Sequence, residues 1–318
     1  MNVLGLDAAT YRRHALHAED RVWVEKNCYV DIWIELLHAV GCEPLAIMPF
    51  TLAIDFEGDQ WTFYKPPHDE LRELYGIDCQ ELNCWRPLIE HAEEHLAAGK
   101  LISTEADAWW LPDVAGTDYR RQHTKSTIVL AELDVAARRL GYFHNAGYFT
   151  LDGEDFAQTF RLDREPDPAF MPFFAELVRV DRKIVRPPDE LRELSRRLLA
   201  RHLARRPVDN PVAKFAARFA RDLPELQAKG LANYHAWAFA TIRQLGSASE
   251  LMARYLEWLG GHGDAVAAYD AISTGAKSFV LKAARAVSSK KPFDPSATFA
   301  EWATAWDSAI AALVGSSR

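Results

Sequence analysis

Nowhere in this 318-residue chain do eighteen uncharged apolar residues stand in a row, so no membrane-spanning helix is expected. The opening stretch MNVLGLDAATYRRHALHAED has no apolar core of a secretory signal, which makes the cytoplasm the expected compartment. Cysteine is scarce. The four present, Cys28, Cys42, Cys79 and Cys84, form no C-x-x-C pair, which excludes a zinc ribbon or a disulfide framework and suits a reducing compartment. The chain has no G-x-G-x-x-G, no G-x-x-x-x-G-K-[ST] and no G-x-S-x-G, so readings as a nucleotide-binding protein or an α/β-hydrolase lack support. Basic residues are outnumbered, 37 against 45 acidic ones, and the net charge of −8 argues against a general nucleic-acid binder.

What is present reads as an ordinary globular protein: 49% hydrophobic and 26% charged residues, enough for one large core or two smaller ones. Charge is unevenly spread. Between Arg179 and Arg221 stand thirteen Lys/Arg against five Asp/Glu, a segment suited either to an ordinary solvated helix face or to docking an acidic partner.

The two halves follow different patterns. In EKNCYVDIWIELLHAVG (25–41), Val30, Ile34, Leu37 and Gly41 recur at helical spacing, predicting a buried amphipathic helix over about 29–40. LAIMPFTLAID, WTFYK and IDCQEL follow as extended candidates, with a short helix DELRELYG among them and a longer one over 85–98. LISTEAD, STIVLAEL and GYFHNAGYFTL read as strands, the last leading into a helix DGEDFAQTF. The second half shows only helical patterns, over about 189–205, 212–222, 230–245, 248–260, 264–287 and 297–313, with a break at Gly246 and with Trp237, Trp258, Tyr269 and Trp302 as core candidates. The fold class is therefore α+β. A domain with a helix and an antiparallel sheet spans 1–165, and an all-α domain spans 166–318, with REPDPAFMPFF (164–174) as the link.

HAEEH at 91–95 has the H-x-x-E-H spelling of inverted zinc peptidases, but it reads better as the solvated face of a helix whose core side is Leu88, Ile89, Ala92 and Leu96; no metal site is expected. Asp55, Glu57 and Asp59 read as a solvated acidic turn. Cys28 is the more informative residue. At a helix start, unpaired N–H groups and the helix dipole favour the reactive thiolate. His123 opens a strand and the pair His144-Asn145 lies in the next one, so Asn145 is expected to orient His123 and leave its other ring nitrogen for Cys28.

Cys28, Trp85–Lys100, Glu105–Asp113, Tyr119, His123 and Asn145 together resemble the papain-like acyltransferases of the butirosin-biosynthesis type. More closely, DFEGDQWTFYK, LYGID, WWLPDVAGTDYRRQHTKSTI and GYFHNAGYFTL are similar to an uncharacterised bacterial family whose genes are often found near amino acid:carrier-protein ligases. The resemblance covers most of residues 20–160. It implies a papain-like N-terminal half and a thioester exchange. An acyl or peptidyl carrier protein presents an acyl group on phosphopantetheine, Cys28 accepts it, and a small acceptor removes it, with His123 as base and Asn145 as orienter. No cofactor is bound by the chain itself, and neither nucleic acid nor membrane is an expected partner. The Cys28 N–H, Asn27 and Gln60 are the oxyanion candidates. Asp107 and Asp113 either bind an acceptor amine or cap turns, and Tyr119 and His144 join the substrate-binding candidates. Arg196, Arg197 and Arg201 are the carrier-docking candidates. Two alternatives stay open: a cysteine hydrolase with water as acceptor, and a non-catalytic carrier-binding module.

Overall fold

The computed structural model describes residues 1–165, 169–170 and 173–316. The chain divides into two compact units. The first comprises Met1–Ala18, Asn27–Pro44 and Pro67–Arg186; the second comprises Glu19–Lys26, Leu45–Pro66 and Pro187–Arg318.

The first unit begins its regular structure with α1 (Cys28–Ala39). Asn27 caps it, its side-chain oxygen accepting the Val30 N–H at 2.9 Å, and Gly41 turns the chain out at φ 76°. Val30, Ile34, Leu36 and Leu37 are all but inaccessible to solvent, which at ~1.5–3 kcal/mol per side chain ties this helix firmly to its surroundings. Next come α2 (His68–Tyr75), β1 (Asp78–Glu81), α3 (Leu88–Ala97) and β2 (Leu101–Asp107). The chain then forms β3 (Lys125–Asp134), β4 (Arg139–His144), β5 (Gly147–Asp152), α4 (Gly153–Thr159) and β6 (Ala175–Arg179). The strands make one antiparallel sheet in the order β1-β6-β2-β3-β4-β5. Alternation along the strands divides it into two faces. Ile102, Ala106, Ile128, Leu130, Leu140, Tyr142 and Leu151 form a core with Leu88, Ile89, Ala92 and Leu96 of α3 and Phe156 of α4. On the other side α1 packs against β3, β4 and β5, and Tyr11 lies edge-on to Phe143.

The second unit is helical: α5 (Pro188–Ala204), α6 (Pro211–Lys229), α7 (Leu231–Ala240), α8 (Ile242–Leu259), α9 (Gly263–Ser289) and α10 (Ser296–Ser316). Helix α9 packs on α8 and α10, and Phe215, Phe219, Phe279, Phe299 and Trp302 form an aromatic cluster. Of the expected core aromatics, Tyr269 and Trp302 are buried, and Trp237 and Trp258 are half-buried.

Several expectations are corrected. LAIMPFTLAID is not a strand but a 3₁₀ stretch, Pro44–Ala53, in which Ala46, Ile47, Met48, Phe50 and Leu52 are all buried; an apolar run without alternation suits either conformation, and Pro49 has no N–H to give a ladder. WTFYK contributes only the bridge Phe56↔Trp61. GYFHNAGYFTL is two strands, β4 and β5, joined by a two-residue turn at Asn145-Ala146. Gly246 does not break a helix: it lies inside α8, where a Cβ would come within 2.5 Å of Trp23 and 2.9 Å of Ala276. The all-α domain does not begin at 166, because β6 fills the place between β1 and β2 and the compact units part at Arg186. Within the expected link, residues 166–168 and 171–172 lie outside the described residues.

Candidate active site

Cys28 is the first residue of α1, a half-buried free thiol one position inside the Asn27 cap. The unpaired N–H groups of the helix's first turn and the positive end of its dipole lie at this end of α1. The Asn27 side-chain oxygen is committed to the Val30 N–H, so this residue serves the helix first.

His123 ends the loop between β2 and β3. The register Asp107↔Lys125 brings the end of one strand beside the start of the other. Across that junction His123 Nδ1 lies 2.6 Å from Asp107 Oδ2, while Asp107 Oδ1 accepts the Trp109 N–H at 3.1 Å. The imidazole stacks on the Trp109 ring at 4.6 Å between centroids and 13° between planes. Asp107 thus fixes the tautomer with the proton on Nδ1, and the stacking fixes the ring plane, leaving Nε2 with a lone pair. The His123 side chain is 69% exposed. Beside it opens a cleft of about 590 Å³, whose lining includes Asp107, His123, Arg161, Arg164, Phe173 and Phe174.

Asn145 does not orient His123. It occupies the β4–β5 turn at φ 43°, a left-handed conformation that Asn tolerates, and the β3–β4 ladder starts only at Val129↔Phe143, six residues beyond His123. Reading GYFHNAGYFTL as one strand concealed the turn. Asp107, expected to bind an acceptor or cap a turn, is the residue that holds His123, and it caps the Ala108–Trp110 turn as well. Among the described residues no hydrogen bond joins Cys28 to His123.

The remaining candidates are dispersed. Asp113 and His144 are not exposed to substrate; their side chains are 3% and 1% exposed. His144 Nδ1 lies 2.6 Å from Asp113 Oδ2, Ser126 Oγ lies 2.7 Å from His144 Nε2, and Tyr142 donates to the other oxygen of Asp113. Ser126 escaped notice because only strand pairing brings it to His144. The chain has the order of a Ser-His-Asp triad, but its burial, with Ser126 7% exposed, makes it an internal hydrogen-bond relay that pins the 112–114 turn to the sheet. Repulsion from Asp113 reinforces burial in raising the Tyr142 phenol well above its ordinary value. Tyr119 donates to Asp155 at 2.8 Å and fastens its loop to α4. Gln60 is exposed in the turn before Trp61, in the second unit, whereas Cys28 is in the first. Arg196, Arg197 and Arg201 are exposed on α5, and Arg196 lies 3.5 Å from Glu193. In HAEEH the two imidazoles stack at 6.4 Å and Glu94 pairs with Arg86. Asp55 pairs with Lys214.

Comparison with known families agrees with the two-part organisation. The DUF1839 N-terminal domain matches residues 12–180, and the DUF1839 C-terminal domain matches residues 188–315. The chain belongs to the DUF1839 family. The family's two domains meet between residues 180 and 188, close to where β6 ends and α5 begins. No curated protein matches the chain significantly. No helix among the described residues is long and apolar enough to cross a membrane.

Proposed function

We propose that this DUF1839 chain is a cysteine-dependent acyltransferase that takes an aminoacyl or other acyl group from a carrier-protein phosphopantetheine thioester. The observation that carries this reading is the His123–Asp107 pair on the wall of a cleft, in the same compact unit as a cysteine at a helix start. The cleft chemistry suits the arm: Phe173 and Phe174 offer apolar contact to its dimethyl and methylene groups, and Arg161 and Arg164 offer charge to its phosphate. In the first step Cys28 Sγ, deprotonated by His123 Nε2, attacks the thioester carbonyl. The carbon–sulfur bond to pantetheine breaks, and the departing thiolate takes the proton from His123. In the second step an acceptor amine attacks the Cys28 thioester, gives its proton to His123 and releases the Cys28 thiolate. Asp107 stabilises the imidazolium in both. Cys28 is not among the residues that line the cleft, so these steps require the start of α1 and the His123 loop to approach each other when substrate binds.

The exposure of His123 favours a second reading, in which water is the acceptor and the chain is a hydrolase. Arg196, Arg197 and Arg201 present a basic face for an acidic carrier. The test is intact-protein mass spectrometry after mixing with an aminoacyl-loaded carrier protein. A thioester-labile adduct on the wild type, absent from Cys28→Ala, supports the transferase; turnover without added amine identifies the hydrolase; carrier binding with no adduct on either protein leaves a docking module.

A further inference from the structure

On the α1 side of the sheet, His68, Cys79 and Glu176 bring one ligand atom each to within 4.8 Å of one another. They come from three elements: His68 opens α2, Cys79 sits on β1 and Glu176 on β6. The pairing Cys79↔Val178 puts Cys79 and Glu176 on the same face, because Glu176 is two residues from Val178. Ser103, opposite Glu176 on β2, donates to its Oε2 at 3.2 Å.

We propose that His68, Cys79 and Glu176 form a binding site for a divalent transition-metal ion of the zinc class. Three observations carry it. The donor set, one imidazole nitrogen, one sulfur and one carboxylate, consists of the three ligand types that bind zinc, and three protein ligands leave a fourth position open. The spacing also fits: His68 Nε2 and Glu176 Oε1 are 3.6 Å apart, too far for a hydrogen bond and close to the ~3.4 Å that separates two ligands on one tetrahedral zinc. Finally, the charges balance. Cys79 is 2% and Glu176 6% exposed, and a thiolate with a carboxylate neutralises a dication in a place where either anion alone would be expensive to bury.

The surroundings suit such a site. Ser103 holds Glu176 as an outer-shell partner does. The His68 side chain is 35% exposed, which gives the ion a path in and leaves Nδ1 to pair with water. Tyr29 O–H donates to Glu176 Oε2 at 3.0 Å and is hydrogen-bonded to His68 Nε2 at 2.7 Å, a bond that an ion on Nε2 displaces.

The full-length chain, stripped with a chelator, is titrated with Co²⁺ and then challenged with Zn²⁺. We expect one Co²⁺ per chain, a thiolate-to-cobalt charge-transfer band in the near ultraviolet, and loss of the band as Zn²⁺ displaces it. The band disappears in Cys79→Ser and persists in Cys28→Ala, Cys42→Ala and Cys84→Ala. His68→Ala weakens Co²⁺ binding by at least about 100-fold. Because His68 is at the surface end of the site, that variant decides the matter even where Cys79→Ser misfolds by circular dichroism. Absence of stoichiometric binding, a band that survives both Cys79→Ser and His68→Ala, or a band that follows another cysteine overturns the proposal.

Discussion

Replacing Asp107 by Asn tests the reading of His123 with almost no change in volume. Asp107 Oδ1 accepts the Trp109 N–H and Oδ2 faces His123 Nδ1. An asparagine keeps its oxygen at the backbone N–H, since an amide nitrogen there would meet another donor. Its NH₂ then faces Nδ1 and forces the His123 proton to Nε2, the nitrogen that has to act as base. A hydrogen bond to a charged group contributes ~1.5–3 kcal/mol. The two side chains are 69% and 38% exposed, and solvent screening reduces this to about 1–2 kcal/mol. At 1.36 kcal/mol per factor of ten, acylation of Cys28 by a carrier thioester should slow roughly 5- to 30-fold. The assay is quenched-flow mass spectrometry of the acyl-enzyme, paired with ¹⁵N NMR of the imidazole, which reports the tautomer whatever the reaction proves to be. An unchanged tautomer in Asp107→Asn would refute the orienting role, and a switched tautomer with an unchanged acylation rate would remove His123 as the base.

Four further outcomes are expected. His17 is buried between Asp31, at 2.9 Å, and Glu35. Burial pushes the Glu35 carboxyl up, but the hydrogen bond and charge of His17, with bonds from Tyr11 and the His14 N–H, outweigh it and hold the group below its ordinary 4.5. Its contribution is full above about pH 4.5 and is lost as pH falls through the lower folded value, so urea unfolding in stepped acid should show a decline that Glu35→Gln flattens. Asp113→Ala leaves His144 and the Tyr142 hydroxyl buried without their acceptor and should lower unfolding free energy by about 3–5 kcal/mol in urea titrations, where a change under 1 kcal/mol would contradict the relay. Gly246→Ala forces a methyl against Trp23 and Ala276 and should lower stability by about 1–3 kcal/mol, read as a shift in urea midpoint. Charge reversal at Arg196, Arg197 and Arg201 together should weaken carrier binding measured by calorimetry and flatten its salt dependence; unaltered affinity would exclude α5 as the docking face.

Much of the local structure was legible in the sequence, because it depends on near neighbours. LISTEAD became β2 residue for residue, and the periodicity of 29–40 and of the later helical patterns held because one face of each helix must be buried. Errors arose where local rules permit two answers. LAIMPFTLAID is apolar throughout, and Gly246 is equally a terminator or a close-packing residue until Trp23 is seen against it. The candidate site divides the same way. Cys28 at a helix start was readable from its cap and apolar stripe, whereas the partner of His123 was not, since Asn145 and Asp107 are both polar residues near strand ends.

By itself the sequence determined which segments are helices, that the sheet precedes the helical part, and that a thiol begins a buried helix: properties set by periodicity, caps and turns over a few residues. Only the tertiary structure decided that Asp107 faces His123, that Ser126, His144 and Asp113 form a closed relay, and that His68, Cys79 and Glu176 converge. Those contacts join residues from 11 to 108 positions apart, and strand order and register, set by how the whole sheet buries its two faces, select them.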